Sequence, residues 1–378
     1  MIYLSQVIKT AAVLTDHDIE KWKYKEHTKV KHEILSKYLG AWIRILGKNY
    51  SRICYFDCFA GRSIYKDGEK GSPLLALDIC ADVKKRFHYL KEIVCTFIEK
   101  DRVNFDDLKK SVKEEIEKYP KKYEGITVIE PINDEFENIA NGIIDKVGKN
   151  LAPSFFFIDP FGFSGVPLKT LNKLLSIQRV EIFITFMLRD VIRFLESEPH
   201  KHSIEELYNI ENIKEMLSSD DYKKIPKEEA LLKIYIAQLK SAGAKYTLPF
   251  KVNADEKLQT TYYLIHVTNH PKGCEIMKEI MLHSGTKGRM GYLGPAEGQM
   301  TITQMLGISK LKEFLLKKFK GEVISFQEIR YKTIMDTDFT ISQYRETILE
   351  LEKEGIISIN GKGPRGGLPD ESKISFNK

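Results

Sequence analysis

Between residues 50 and 165 the chain repeats one pattern, an apolar run that stops abruptly at a polar residue. Tyr55-Phe56 ends at Asp57, Phe97-Ile98 at Glu99, Ile132 at Asn133-Asp134, and Phe155 to Ile158 at Asp159. A run that is apolar on both faces and ends this way reads as a buried parallel strand whose carboxyl end opens into a loop. Helical periodicity fills the intervals. Over 18 to 46, Val30, Ile34, Leu35, Tyr38, Leu39, Trp42, Ile43 and Leu46 recur at steps of three and four among Lys29, Lys31, Glu33 and Lys37. Gly71-Ser72-Pro73 predicts a helix start, with Ser72 as cap and Pro73 in the first position. Strands are expected at Ile93 to Glu99, Ile126 to Glu130 and Ser154 to Asp159, with helices at about 102 to 118 and 134 to 147. This alternation predicts a parallel sheet.

Val180 to Phe186 reads as a fifth strand and Met187 to Glu196 as its exit helix, followed by a charged helical insertion over 197 to 240. Tyr246 to Val252 and Thr261 to Val267 predict an antiparallel hairpin that closes the sheet, and Pro271 opens one more helix ending near His283. The first domain is therefore expected to span 1–285. Glycines at 288, 291, 294 and 298 mark 286–305 as a linker. Over 306–378 the order becomes helix, edge strand, two helices, then strand, Gly361 to Gly367 and strand, which is winged-helix order. A dimerisation appendage of the same shape is the competing reading, because the third helix carries several Glu.

Composition narrows the partners little. Fifty-nine Lys and Arg against 53 Asp and Glu give a net charge of +6, which permits a nucleic-acid substrate without requiring one. No apolar run is long enough to span a bilayer, and the start lacks the features of a secretory leader, so no membrane association and a cytoplasmic location are expected. The five cysteines lack paired CxxC spacing and read as buried thiols, with no metal site expected.

Ligands of open α/β sheets bind at the carboxyl ends of the strands, so chemistry is expected there. Asp57, Phe59, Ala60 and Gly61 form a turn that lets a nucleotide-like ligand approach, although Ser63 replaces a second glycine. Glu99 is placed to accept both hydroxyls of a ribose. Asn133 and Asp134 serve as adenine contacts or as caps of the next helix, roles that are compatible. In Asp159-Pro160-Phe161-Gly162 a carboxylate directly follows the apolar run Phe155 to Ile158, which is costly unless it faces a cleft with partners. Asp159 and the Pro160 carbonyl suit the holding of an amine, and Phe161 or Phe163 the stacking of a flat ring. His27, Lys31 and His32 crowd the start of the first helix, either as a solvated basic end or as a lid over cofactor and substrate. Lys362 and Arg365 on the wing are candidate phosphate contacts.

These residues carry a resemblance. His27 to Leu35 with Trp42, Asp57 to Tyr65, Gly71-Ser72-Pro73, Asp159 to Gly165 and Tyr263 to His266 resemble the three-Cys-motif partner protein family, TcmP, over residues 24 to 285. That resemblance implies an association with a neighbouring three-cysteine protein. More distantly, Lys31-His32, Asp57 to Tyr65 and Asp159-Pro160 are similar in order to the ribosomal-RNA adenine-N6 methyltransferases of the large subunit. This similarity implies a class I fold binding S-adenosylmethionine through Lys31 and the Asp57 turn, with Asp159 catalytic. Asp-Pro-Phe-Gly instead resembles the catalytic segment of tRNA guanine-N2 dimethyltransferases. The expectation is methyl transfer to an exocyclic amine of RNA or DNA. The alternatives are a non-catalytic module of the same fold and, less favoured, a Mg²⁺-dependent nuclease using Asp57, Glu99 and Asp159.

Overall fold

A computed structural model describes residues 24–87, 89–253, 260–286, 290–292 and 302–377. The start of the helix expected from residue 18 lies outside them. In chain order the first domain runs α1 (Glu26–Leu46), β1 (Arg52–Asp57), α2 (Ser72–Lys84), β2 (Glu92–Phe97), α3 (Arg102–Lys118), β3 (Ile126–Val128), α4 (Phe136–Val147), β4 (Ser154–Ile158), α5 (Leu168–Leu175), β5 (Val180–Phe186) and α6 (Leu188–Phe194). Three helices form the insertion, α7 (Glu198–Tyr208), α8 (Ile213–Ser218) and α9 (Lys227–Ser241). The hairpin β6 (Tyr246–Asn253) and β7 (Thr260–Thr268) and the helix α10 (Pro271–Ser284) complete it.

The sheet order is β3-β2-β1-β4-β5-β7-β6, with β7 antiparallel to both neighbours. This is the class I methyltransferase fold. Gly291–Tyr292, within the stretch expected to be linker, adds a two-residue eighth strand, β8, along the edge of β6. Strand residues alternate between two cores as the pleat requires. Ile53 and Tyr55 of β1 pack under α1, α2, α3 and α10, whereas Cys54 and Phe56 pack under α4 to α7 and α9. The central strands carry apolar side chains on both faces because helices cover both. Order reverses between β1 and β4, whose register pairs Asp57 with Phe157. Asp57 and Asp159 therefore flank the switch point where such sheets bind ligands.

The C-terminal unit comprises α11 (Ile302–Lys318), β9 (Val323–Ser325), α12 (Phe326–Thr333), α13 (Ile341–Lys353), β10 (Ile357–Asn360) and β11 (Lys373–Phe376), with sheet order β10-β11-β9. Its first helix begins earlier than the expected Lys310. Capping boxes at Ser325 and Thr340 fix the starts of α12 and α13. The unit docks on α10 through buried charge. Arg330 donates to Glu275 at 2.6 Å with both side chains at most 5% exposed, and Lys278 donates to the Ile334 and Thr337 carbonyls. Arg330 is paired with Glu275 and Asp370, and backbone carbonyls hold the Lys278 ammonium, partners of the kind that burial of charge demands. Among the described residues no helix is long and apolar enough to cross a membrane.

Candidate active site

Asp57 closes β1 fully buried, and among the described residues no hydrogen bond of normal geometry reaches either of its carboxylate oxygens. Burial pushes its pKa up to about 7. The Ser72 hydroxyl and Phe59 amide oppose the shift, while the charges of Asp159 and Glu99 reinforce it. The following turn is braced from β2. Glu99 accepts from the Gly61 amide at 2.9 Å and from the Asp101 amide at 2.8 Å. A carboxylate has about four acceptor sites, so two remain for a ribose diol. Ala60 is buried, and Phe59 packs on Phe136 with ring centres 6.1 Å apart.

Gly61 takes φ +61°, and Ser63, at the place of the second glycine, takes φ +69° with its hydroxyl buried and without a partner among the described residues. A left-handed non-glycine residue costs about 1–2 kcal/mol. The Gly71 amide donates to the Ser63 carbonyl at 2.6 Å, and a Cβ on Gly71 would stand 3.0 Å from that oxygen. The position is glycine because two backbones touch. In parallel thermal melts Ser63→Gly is expected to be neutral or to stabilise by up to about 1 kcal/mol. Gly71→Ala is expected to destabilise by about 1–3 kcal/mol. Melting shifts of the same sign would contradict this account of the turn.

Asn133 donates to the carbonyls of Glu99 and Lys100, both at 2.9 Å, so its amide clamps the end of β2. Asp134 accepts from the Glu135 amide at 2.7 Å and from Asn138 at 2.8 Å, ordering the start of α4. It stays half-buried on the rim.

On the other side of the switch point Lys31 forms an ion pair with Asp159, the side chains being 10% and 22% exposed. Its ammonium also lies 5.7 Å from the centre of the Tyr262 ring, whose hydroxyl donates to the His27 carbonyl at 2.9 Å. The pairing joins a residue expected on the cofactor to one expected on the substrate. His32 is 3% exposed, its Nδ1 has no partner among the described residues, and its ring lies near Tyr24 and Tyr65. Burial, aided by the Lys31 charge and opposed by Asp159, lowers its pKa to about 3, so the imidazole is neutral. Sequence reading gave Tyr65 no role beyond its motif and did not single out Tyr262, because only the fold brings them here.

Phe161 is 54% exposed beside Gly162, which takes φ +89°. Phe163 corrects the expectation of a stacking residue. It is 7% exposed and packs against Phe194 and His200, with ring centres 6.0 Å from each. Phe161 is thus the exposed aromatic of this loop. Lys362 and Arg365 are exposed on the wing, with Lys362 paired to Glu352 of α13. Among the described residues no three His, Cys, Asp or Glu side chains are grouped to hold a metal, and all five cysteines are buried free thiols.

Residues 296–364 match the family model of the GMT-like wHTH domain. A search of curated proteins gives no match. Among solved structures, a Legionella pneumophila protein of family model DUF519 aligns at 12% identity and TM-score 0.37, covering 65% of this chain and 85% of that one. The DszA carbon methyltransferase aligns at 12% and 0.38, covering 66% and 56%. A Bacillus cereus O-methyltransferase in complex with SAH aligns at 10% and 0.33, covering 71% and 97%. The fold assignment rests on strand order and not on these distant likenesses.

Proposed function

We propose that the protein is an S-adenosylmethionine-dependent methyltransferase acting on an exocyclic amine of a nucleic-acid base. One observation carries the reading: a fully buried carboxylate, Asp57, receives no hydrogen bond of normal geometry among the described residues, beside the Glu99-braced Gly61 turn and one strand from Asp159. An unsatisfied buried carboxylate is expensive and calls for a missing partner. The amino group of the cofactor's methionine end supplies one. Glu99 retains acceptor capacity for the ribose, and the cofactor's own carboxylate suits Lys31.

When bound, S-adenosylmethionine supplies an electrophilic methyl group on a sulfonium. The chain's part is positioning and charge. Asp159 and the Pro160 carbonyl accept the hydrogens of the substrate amine and stabilise the positive charge that grows on nitrogen. Phe161 offers its exposed ring to the base, which must be unstacked to reach the strand ends. Neutral His32 adds a buried Nδ1 that has no partner among the described residues. Lys31 pairs with Asp159 in this structure, and transfer of its ammonium to the cofactor's carboxylate would free Asp159 for the amine. Cofactor is then expected to bind before substrate.

Arg365 and Lys362 make the wing the basic contact of the C-terminal unit. In α13 Arg345 and Lys353 are outnumbered by Glu346, Glu350 and Glu352, which disfavours that helix against phosphate. Calorimetric titration of the protein with S-adenosylmethionine tests the proposal. Micromolar binding is expected, lost in Glu99→Ala because the Gly61 brace and the ribose acceptor go together. Absence of binding by the wild type would overturn the proposal and leave a non-catalytic module, to be tested by co-purification with a three-cysteine protein.

A further inference from the structure

The insertion after β5 meets the strand ends on the side of Asp159. Ile158 of β4 pairs with Ile184 of β5, so α6, which follows Phe186 directly, begins at the rim where Asp159 stands. Its outer face exposes Arg189, Ile192 and Arg193, and the two arginines, four residues apart, share that face. Neither forms an ion pair among the described residues. Asp190, between them in sequence, is half-buried, and Glu196 just beyond the helix is held by Lys214 at 2.8 Å. Stacked rings fix these arginines to the loop that follows Asp159. The Arg193 guanidinium lies 5.1 Å from the centre of the Phe194 ring, and Phe194 stacks on His200 with ring centres 4.3 Å apart. Phe163 packs against both rings, and the Ser197 hydroxyl, 2.8 Å from His200 Nδ1, closes the corner between α6 and α7. Phe161 stands two residues away on the same loop, exposed as Ile192 is.

Exposed apolar and aromatic side chains beside guanidinium groups that no carboxylate neutralises suit a strand whose bases are unstacked and whose phosphates are within reach. A base drawn to the strand ends leaves its neighbours on the chain at this rim. The winged-helix unit matches a phosphate backbone less well, since α13 is acid-rich and Lys362 is already paired with Glu352. We propose that the α6–α7 corner binds an unpaired stretch of RNA, Arg189 and Arg193 taking the phosphates beside the target nucleotide while the adjoining base lies against Ile192. Unpaired loops are the form in which RNA offers its bases to proteins, which favours RNA over duplex DNA as the occupant. The inference rests on the reading of the strand ends as a site for a nucleic-acid base. It adds that the insertion, more than the wing, holds the rest of the strand.

The test follows the anisotropy of a fluorescein-labelled, unpaired RNA of about twelve nucleotides as the full chain is added, beside its duplex and the DNA strand of the same sequence. The single RNA strand is expected to bind more tightly than the duplex and at least as tightly as the DNA. Arg189→Gln combined with Arg193→Gln should weaken RNA binding about tenfold. Each phosphate contact to a single strand contributes about 0.7 to the slope of log affinity against log salt, so the pair should flatten that slope by about 1.4. The melting temperature should not move, because both side chains are exposed. Lys362→Gln combined with Arg365→Gln on the wing should have the smaller effect. Absence of RNA binding, equal or tighter binding of the duplex, or tighter binding of the DNA strand overturns the proposal. So does an arginine pair that leaves affinity and slope unchanged, or a larger loss from the wing pair. The assay needs neither cofactor nor methyl transfer, so the two readings fail separately. Calorimetric binding of S-adenosylmethionine without RNA binding removes this inference alone, whereas RNA binding through Arg189 and Arg193 without cofactor affinity removes methyl transfer and keeps the corner as an RNA contact.

Discussion

Asp159→Asn is expected to lower methyl transfer by roughly a thousandfold while cofactor affinity stays within a few fold. The carboxylate follows four fully buried residues, Phe155 to Ile158, at the end of a central strand, so its position is fixed by the sheet. Asparagine keeps the shape and one acceptor but loses the charge that offsets the developing cation on the amine. Removal of a single preorganised group of this kind costs on the order of 10² to 10³ in rate, and misalignment of the nitrogen adds to it. The Lys31 ion pair makes a second outcome informative. Lys31→Met leaves the Asp159 carboxylate in place, so its main effect should be weaker cofactor binding with the rate at saturation less affected. The measurement is incorporation of labelled methyl groups into RNA and DNA from cells lacking the protein, with cofactor affinity read separately by calorimetry. Retention of more than a tenth of wild-type transfer by Asp159→Asn would remove Asp159 from the reaction.

The strand ends were legible because physical necessity writes them locally. A central parallel strand is apolar on both faces, so a carboxylate ending it stands out, and Asp57, Glu99 and Asp159 all lie where the runs stop. What joins those ends was hidden. Lys31 and Asp159 are 128 positions apart, and neither neighbourhood announces the other. Tyr262 lies in a strand, β7, whose pattern reports only burial. Phe163 looked equivalent to Phe161, since alternation in a short loop does not say which ring the insertion covers; Phe194 and His200 decide it. Asn133 reads as a cap from composition, but its amide serves the neighbouring strand end.

Asp57→Asn and His32→Phe are expected to tilt the pH dependence of stability in opposite directions. Burial raises Asp57 from 3.8 to about 7, so between those values the folded state holds a proton that the unfolded state has lost. Its contribution to stability therefore falls as pH rises, by about 1.4 kcal/mol per unit. Burial lowers His32 from 6.5 to about 3, so over that window the unfolded state holds the extra proton and stability rises with pH at the same slope. Between about pH 4 and 6.5 the two contributions largely cancel in the wild type. Relative to it, Asp57→Asn should grow more stable with rising pH and His32→Phe less stable, as urea midpoints measured from pH 4.5 to 7 would show. Parallel curves for both variants and the wild type would mean that these groups are not buried as described. Cofactor binding extends the test. If its ammonium pairs with the Asp57 carboxylate, binding to the protonated form must release a proton, and affinity should weaken about tenfold per unit below pH 7. That dependence should vanish in Asp57→Asn along with most of the affinity, tying the orphaned carboxylate of the free protein to the ligand that satisfies it.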